Sequence, residues 1–220
     1  SHTNDDSVAP LAVPTGPSSS LLLDLDGDEG SLLQLAGNVD IGLFGFVTLS
    51  GDFAFKKATG DFTVADGTTS SQLTSVEYLA VGGNVTTASV DAGGVGITLT
   101  GIEFAMVLVS DEPNSVNYTT LNASVTSASL DGIPGLSLTV NSLSLLINKS
   151  SDVGNPNKVL DFADTDDAVN ANDALATALT VATGPASSID IDIDGDEGSL
   201  LQVAGNLDLG LFGLVTLSGD

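Results

Sequence analysis

The sequence contains no cysteine, no tryptophan and no arginine, and only four lysines stand against 29 acidic residues. Without cysteine, the chain forms neither disulfides nor thiolate metal sites. At a formal net charge of −25, no basic cluster is present to release counterions from phosphates, so nucleic acid is not expected as a partner. The acidic residues are mostly Asp, the carboxylate that suits turns and oxygen-ligated metal loops. Cations are therefore the expected partners of this charge.

Long apolar runs are also missing. No uninterrupted stretch approaches the roughly 18 residues of a membrane span, so no membrane insertion is expected within this segment. Yet 42% of the residues are apolar and the mean hydropathy is +0.32, which is too apolar for a disordered acidic chain. The chain is therefore expected to bury a core built mainly from Val, Leu, Ile and Ala.

Catalytic constellations are absent from the sequence. The one histidine, His2, lies at the N-terminal end, and no nucleophile, phosphate-loop or zinc-protease motif occurs. Paired carboxylates alone serve glycosidases, but sugar clefts commonly stack aromatic rings, and aromatics make up only 5% of the chain. We therefore expect a protein without catalytic activity.

The chain repeats its own beginning. The 40 residues from Val13 to Asp52 recur as Val181 to Asp220, with 30 identities and an offset of 168 residues (181 − 13). Residues 1–168 therefore form one full period, and residues 169–220 begin the next period and correspond to residues 1–52. The break at 183–185 is interpreted as the joint between modules. Arrays of this kind serve reach, stiffness or multivalent contact.

Alternation of apolar and polar residues dominates the period and predicts half-buried strands. In the first copy, one parity holds the apolar residues Leu33, Leu35, Val39, Ile41 and Leu43, and Val47 to Phe55 continue it. Further strands are predicted at Val76–Val90, Val95–Val109, Tyr118–Leu130 and Leu136–Ile147. Turn signals at 93–94, 111–114 and 131–135 separate them.

One segment departs from this period. Acidic residues at 161, 164, 166, 167 and 173 accompany apolar residues at helical spacing from Ala168 to Leu179. The pattern predicts a short helix with acids near its N-terminus, where capping and the helix dipole favour them, and calcium binding by this acidic cluster is the alternative. The predicted fold is all-β: an elongated antiparallel β-sandwich or β-solenoid-like module with one short helix, repeated in tandem.

The acidic loops predict calcium sites. In the second copy, Asp190, Asp192 and Asp194 alternate with isoleucines, so their carboxylates line one strand face about 7 Å apart and repel each other. Ca²⁺ would relieve this repulsion, because it accepts six to eight oxygen ligands. The predicted ligands, shared by both copies, are Asp24, Asp26, Asp28 and Glu29 in the first and Asp192, Asp194, Asp196 and Glu197 in the second.

These loops do not follow the EF-hand pattern. The glycine falls one place late, at Gly30, and Leu35 occupies the position of the bidentate Glu. The alternative interpretation is a solvated Asp-Gly turn on an acidic surface.

Three stretches, 50–55 (SGDFAF), the glycine-rich region 81–99 and 131–138 (DGIPGLSL), together resemble repeats of giant bacterial extracellular and cell-surface proteins. The resemblance spans most of the 168-residue period. It implies an exported protein with a mechanical role, such as a calcium-stiffened stalk, an adhesin or an extracellular fibre.

Three interpretations follow. The first is a structural module of an extracellular fibre, stalk or filament, rigidified by calcium, whose partners are neighbouring copies of the same repeat arranged head to tail. The second is an adhesin module that binds glycan or a cell surface through Thr-rich strands such as 63–74 and 85–87, which a register-matched Thr ladder would support. The third is a subunit of a non-covalent filament whose repeated ends exchange between molecules.

Overall fold

The computed structural model describes residues 10–23, 31–43, 47–163 and 176–219. Within these ranges the protein is all-β and antiparallel, as the sequence predicts. The strands are β1 (Leu11–Gly16), β2 (Ser19–Leu23), β3 (Leu33–Leu43), β4 (Val47–Ala65), β5 (Ser70–Ala92), β6 (Val95–Asp111), β7 (Val116–Asp131), β8 (Leu136–Ser150), β9 (Val159–Asp161), β10 (Leu179–Ala182), β11 (Ser188–Ile191), β12 (Leu200–Leu211) and β13 (Val215–Gly219).

One main sheet and two hairpins contain all of these strands. The main sheet runs in the order β13-β12-β8-β7-β6-β5-β4-β3, and β9 pairs with β4 beside it. The hairpins are β1-β2 and β10-β11. Strands β4 to β8 follow one another along the chain and across the sheet, because the short turns between them let each strand pair with the next.

The four central predicted strands are confirmed. Three are longer than predicted by two or three residues, and β5 begins six residues earlier than predicted, at Ser70. The predicted turns at 93–94, 111–114 and 131–135 separate β5 from β6, β6 from β7 and β7 from β8. The burial predicted for β3 is wrong: Leu33 and Leu35 are 60% and 70% exposed. As an edge strand, β3 is paired with β4 alone among the described strands and carries its apolar side chains on an open face.

The core lies on the other face of the sheet, near the ends of β4 to β8. Val64, Val107 and Val109 are at most 1% exposed there, and Leu160 of β9 packs against them. A buried polar network holds β9 over the sheet, since Asn148 accepts a hydrogen bond from Thr120 and donates one to the Leu160 carbonyl (2.9 and 2.7 Å). The side chains of this network are therefore paired inside the core.

Two finer predictions differ from the structure. Residues 164–175, the body of the predicted helix, lie outside the described residues, but its end is wrong: Leu179 opens strand β10. The described helical segments are the 3₁₀ turns Glu112–Asn114 and Gly195–Glu197, and neither is long enough to cross a membrane. The main sheet, as far as it is described, is open at β3 and β13 and is not a solenoid.

Candidate functional site at the repeat junction

The two hairpins come from equivalent stretches of the repeated sequence. They share one register, with Leu11 opposite Leu23 and Val13 opposite Leu21 in the first copy, and Leu179 opposite Ile191 and Val181 opposite Ile189 in the second. Each position of the second hairpin lies 168 residues after its counterpart. Both copies therefore present four apolar side chains on one hairpin face. Residues 183–185, interpreted from the sequence as a joint, lie in the turn that connects the two strands of the second hairpin.

The same face is buried in one copy and exposed in the other. Val181 and Ile191 are 3% and 0% exposed, whereas their counterparts Val13 and Leu23 are 36% and 39% exposed. Burial of the second hairpin is provided by the main sheet, because Val181 and Ile191 belong to the core cluster that includes Tyr78 and Val107. The second copy of the hairpin thus completes the core cluster on the main sheet.

Glycines permit the close approach of hairpin and sheet. A Cβ atom on Gly82 of β5 would overlap the carbonyl oxygen of Ala182 in β10. A Cβ atom on Gly184 would lie 2.6 Å from the Cβ of Asp52. No side chain fits at either position without movement of the surrounding atoms, so both glycines are requirements of the docked hairpin.

The second copy of the repeated sequence also extends the main sheet. Strand β12 pairs antiparallel with β8 from Leu200 opposite Asn148 to Leu211 opposite Leu136. Its counterpart in the first copy, β3, pairs with β4 alone among the described strands. One copy of the repeated strand therefore lies inside the sheet and the other at its edge.

The acidic loop of the second copy packs beside this junction. Asp192 and Glu197 are exposed, and Asp194 and Asp196 are half-buried. The Asp194 carboxylate accepts a hydrogen bond from the Asp196 backbone N–H (2.8 Å) and so caps the 3₁₀ turn Gly195–Glu197. A cap of this kind is typical of a solvated Asp-Gly turn, which is the alternative to a calcium site at this loop. The first-copy ligands, Asp24, Asp26, Asp28 and Glu29, lie outside the described residues.

Sequence reasoning did not predict the burial of Asp161. It placed this residue at the start of a helix, but Asp161 lies in β9, where pairing with β4 leaves it 2% exposed. Its Oδ1 accepts hydrogen bonds from the N–H groups of Gly195 (2.9 Å) and Ala163 (3.4 Å), and its Oδ2 is buried without a hydrogen-bond partner. No local signal distinguishes it from the other aspartates, because its burial comes from distant strands.

Burial raises the pKa of the Asp161 carboxyl above its ordinary value. The nearby charges of Asp194 and Asp196 raise it further, while the hydrogen bonds from Gly195 and Ala163 act in the opposite direction. A carboxylate held in this way is stabilised either by a proton or by a cation.

Near this turn, Asp161 is a residue whose buried carboxylate could hold a cation. Within the described ranges, no group of three or more acidic or histidine side chains is arranged to hold a metal ion. Asp161 supplies a buried oxygen without a donor, with Asp194 and Asp196 close to it. The remaining ligands of a calcium ion would be backbone carbonyls and water, which this ion accepts readily.

The raised pKa of Asp161 predicts how the free energy of unfolding depends on pH. The folded chain holds the Asp161 proton at pH values where the unfolded chain, with a pKa near 3.8, has released it. The Asp161 contribution to the free energy of unfolding therefore falls as pH rises from that value through the folded pKa. In EGTA at neutral pH, Asp161→Asn should raise this free energy, as measured by urea titration.

The exposed Asp192 on the same loop is the matched control. Asp192→Asn removes a negative charge without touching the buried carboxylate, so it should leave the pH dependence unchanged. Equal pH profiles for wild type and Asp161→Asn would contradict the assignment of a raised pKa.

Hydroxyl side chains form two rows on the core-facing side of the sheet, beyond the part that the second hairpin covers. The rows are Thr48, Ser89, Thr98, Ser129 and Thr139, and beside them Ser50, Thr87, Thr100 and Ser127. Neighbouring hydroxyls are hydrogen-bonded, as in Thr48 with Ser89 and Thr100 with Ser127 (both 2.6 Å). Of the Thr-rich stretches predicted as binding faces, 85–87 contributes to a row, whereas Thr63 is buried.

The opposite face of the sheet is apolar across seven strands. One row consists of Leu35, Phe55, Val81, Met106, Leu121, Ile147 and Leu201, each opposite its neighbour on the next strand. Phe53 and Phe104 lie beside this row with ring centroids 6.3 Å apart, over Gly83. The end members Leu35 and Leu201 are 70% and 61% exposed. The five central members are half-buried. A contiguous apolar row of this kind is typical of a contact surface.

No family model, curated protein or solved structure matches this chain. Function therefore has to be inferred from the geometry of the junction and of the sheet faces.

Proposed function

We propose that this chain is a structural module of an extracellular tandem-repeat fibre, stalk or filament, without catalytic activity, in which consecutive repeats share one sheet and one core. The observation that carries the proposal is the second copy's double role. Its hairpin β10-β11 fills the core of the first repeat, and its strand β12 extends the first repeat's sheet at β8.

A junction of this kind is stiff. Eleven Cα pairs join β12 to β8, and the hairpin packs on the core-facing side of the same sheet. Two independent domains joined by a linker would move relative to each other by default. Repeats that share a core transmit load and orientation from each module to the next, which is the property required of a stalk or fibre.

Chains of two, three and four periods test this function. We expect small-angle X-ray scattering to show an elongated particle whose length increases by a constant step with each added period. Profiles typical of compact modules on flexible tethers would contradict the proposal.

Calcium is proposed to rigidify the junction. Asp161 joins β9 of the first repeat to the Gly195 turn of the second, and a cation on its carboxylate would offset the charges of Asp194 and Asp196. The predicted ligands Asp192, Asp194, Asp196 and Glu197 surround this turn in the sequence. A bound ion would thus connect one repeat to the next.

A thermal melt in excess Ca²⁺, in EGTA and in Mg²⁺ tests this role. Binding to the folded state alone should raise the Tm in Ca²⁺, by an amount that grows with the free ion concentration. Asp161→Asn should abolish the rise, whereas Ser218→Ala, far along β13, should preserve it. Equal Tm increases in Ca²⁺ and Mg²⁺ would indicate screening of the −25 net charge and would contradict a specific site.

The hydroxyl rows favour recognition of glycan as a second candidate function. Register-matched Thr and Ser on five neighbouring strands present a regular polar surface, which matches the repeating hydroxyls of a polysaccharide. The double variant Thr87→Ala and Thr98→Ala should weaken retention on immobilised polysaccharide at unchanged Tm, with Thr68→Ala, in the β4-β5 turn, as the control. Equal retention of both variants and wild type would contradict this candidate.

A further inference from the structure

We propose that the apolar face of β1-β2 and the outer edge of β3 form one docking surface, and that its occupant is the main sheet of a second copy of this repeat, placed ahead in the chain. The inference rests on the proposed function and specifies the partner, the surface and the register. It concerns only described residues, with the hairpin at 11–23 and the strand at 33–43.

The two hairpins are equivalent in sequence and register. Positions that face the core in the second copy are apolar in both copies, and they pair in the same register. By contrast, the outward position holds Leu22 in one copy and Asp190 in the other, where the carboxylate accepts a hydrogen bond from Thr180 (2.6 Å). Apolar character is thus kept on the side that the sheet covers and not on the other.

The second copy binds the main sheet of this chain through the same elements. In this chain, β10-β11 lies on the sheet beside Gly82, and β12 pairs with β8. Shifting that pairing by one period places Leu33 opposite the preceding repeat's Ile147 and Leu43 opposite its Leu136. The surface and its complement are therefore both present in the structure, and the chain itself shows how they fit.

The main sheet of this chain cannot bind its own first hairpin. In this chain, β10 and β11 already cover the core of the main sheet, and β12 already pairs with its edge strand β8. The docking surface on β1-β2 and β3 therefore remains open until a period precedes it. A preceding period would bury Val13 and Leu23 as Val181 and Ile191 are buried here.

The test uses the full chain and the same chain with residues 1–168 added ahead of it. Because the sequence lacks cysteine, a single Val13→Cys substitution provides a unique thiol. In the full chain, this thiol should react quickly with a maleimide. At the same position in the internal copy of the extended chain, we expect labelling about 100-fold or more slower, because reaction then requires local opening of the core.

Leu33→Cys is the matched control. Leu33 is 60% exposed beside β4, and its counterpart Leu201 is 61% exposed beside β8, because both side chains lie on the open face of the sheet. Its thiol should therefore react at the same rate in both chains. This control shows that the added period does not block the reagent non-specifically.

Fast labelling of the internal Val13→Cys would overturn this inference. If the scattering length still increased by a constant step per period, the fibre proposal would stand and only the docking surface would fail. Hydrogen exchange on the unmodified extended chain checks the result without substitution: amides of the internal β3 should gain protection over those of the full chain, and equal exchange would also overturn the inference.

Discussion

Replacing Ile191 by alanine should lower the free energy of unfolding by about 2–5 kcal/mol, whereas replacing Leu23 by alanine should change it by less than about 0.5 kcal/mol. The two positions are equivalent in the repeat, but Ile191 is fully buried and Leu23 is 39% exposed. Urea unfolding can be followed by tyrosine fluorescence, because Tyr78 and Tyr118 are both in the core and tryptophan is absent.

Comparison of Ile191→Ala with Leu23→Ala isolates the effect of burial on the free energy of unfolding. Both remove an aliphatic side chain from the same register position of the same hairpin. If both cost the same free energy, the second hairpin would not contribute to the core of the first repeat. The shared-core account would then be wrong, whatever the strand pairing of β12.

Replacing Gly82 by alanine should destabilise the chain by about 1–3 kcal/mol, because the added methyl group overlaps the Ala182 carbonyl oxygen. Gly37, in β3, is the matched control, because a methyl group added there would meet no other atom within 4 Å. Alanine is favoured over glycine in a strand interior by roughly 0.5–1 kcal/mol, so Gly37→Ala should be neutral or stabilising. Urea titration of both variants measures the difference.

A double-mutant cycle identifies the cause of the Gly82 effect. If the clash acts through the hairpin, Gly82→Ala and Ile191→Ala should cost less together than the sum of their separate effects, since either change loosens the same contact. Strict additivity would place the Gly82 effect elsewhere in the sheet and contradict the proposed contact.

The sequence predicted the main sheet well, and for a physical reason. Alternation of apolar and polar residues is a local property, and short turns force successive antiparallel strands to pair, so β5 to β8 could be placed from the sequence alone. The end of the predicted helix was wrong because Leu179 continues the helical spacing from Leu175 but also begins a strand alternation with Val181. Pairing with β11 and burial on the sheet decided between them.

The junction could not be predicted in the same way. Val13 and Val181 occupy equivalent positions, and in both copies a Leu lies two residues before and Thr-Gly-Pro follows two residues after. One is nevertheless exposed and the other buried, so this local pattern carries no information about their surroundings. Asp161 was likewise indistinguishable from other aspartates until β4 and the Gly195 turn enclosed it. The calcium ligands remain a prediction. The sequence places the carboxylates in the loops, but it does not determine whether an ion binds them.

Native-state hydrogen exchange of the unmodified full chain tests the central claim most directly. The account predicts that amides of β10-β11 exchange as slowly as those of β5 and β6, because they open only when the shared core opens. Amides of the equivalent β1-β2 hairpin should exchange much faster in the same sample. Equal, fast exchange of both hairpins would show that the second repeat does not complete the first, and would contradict the account.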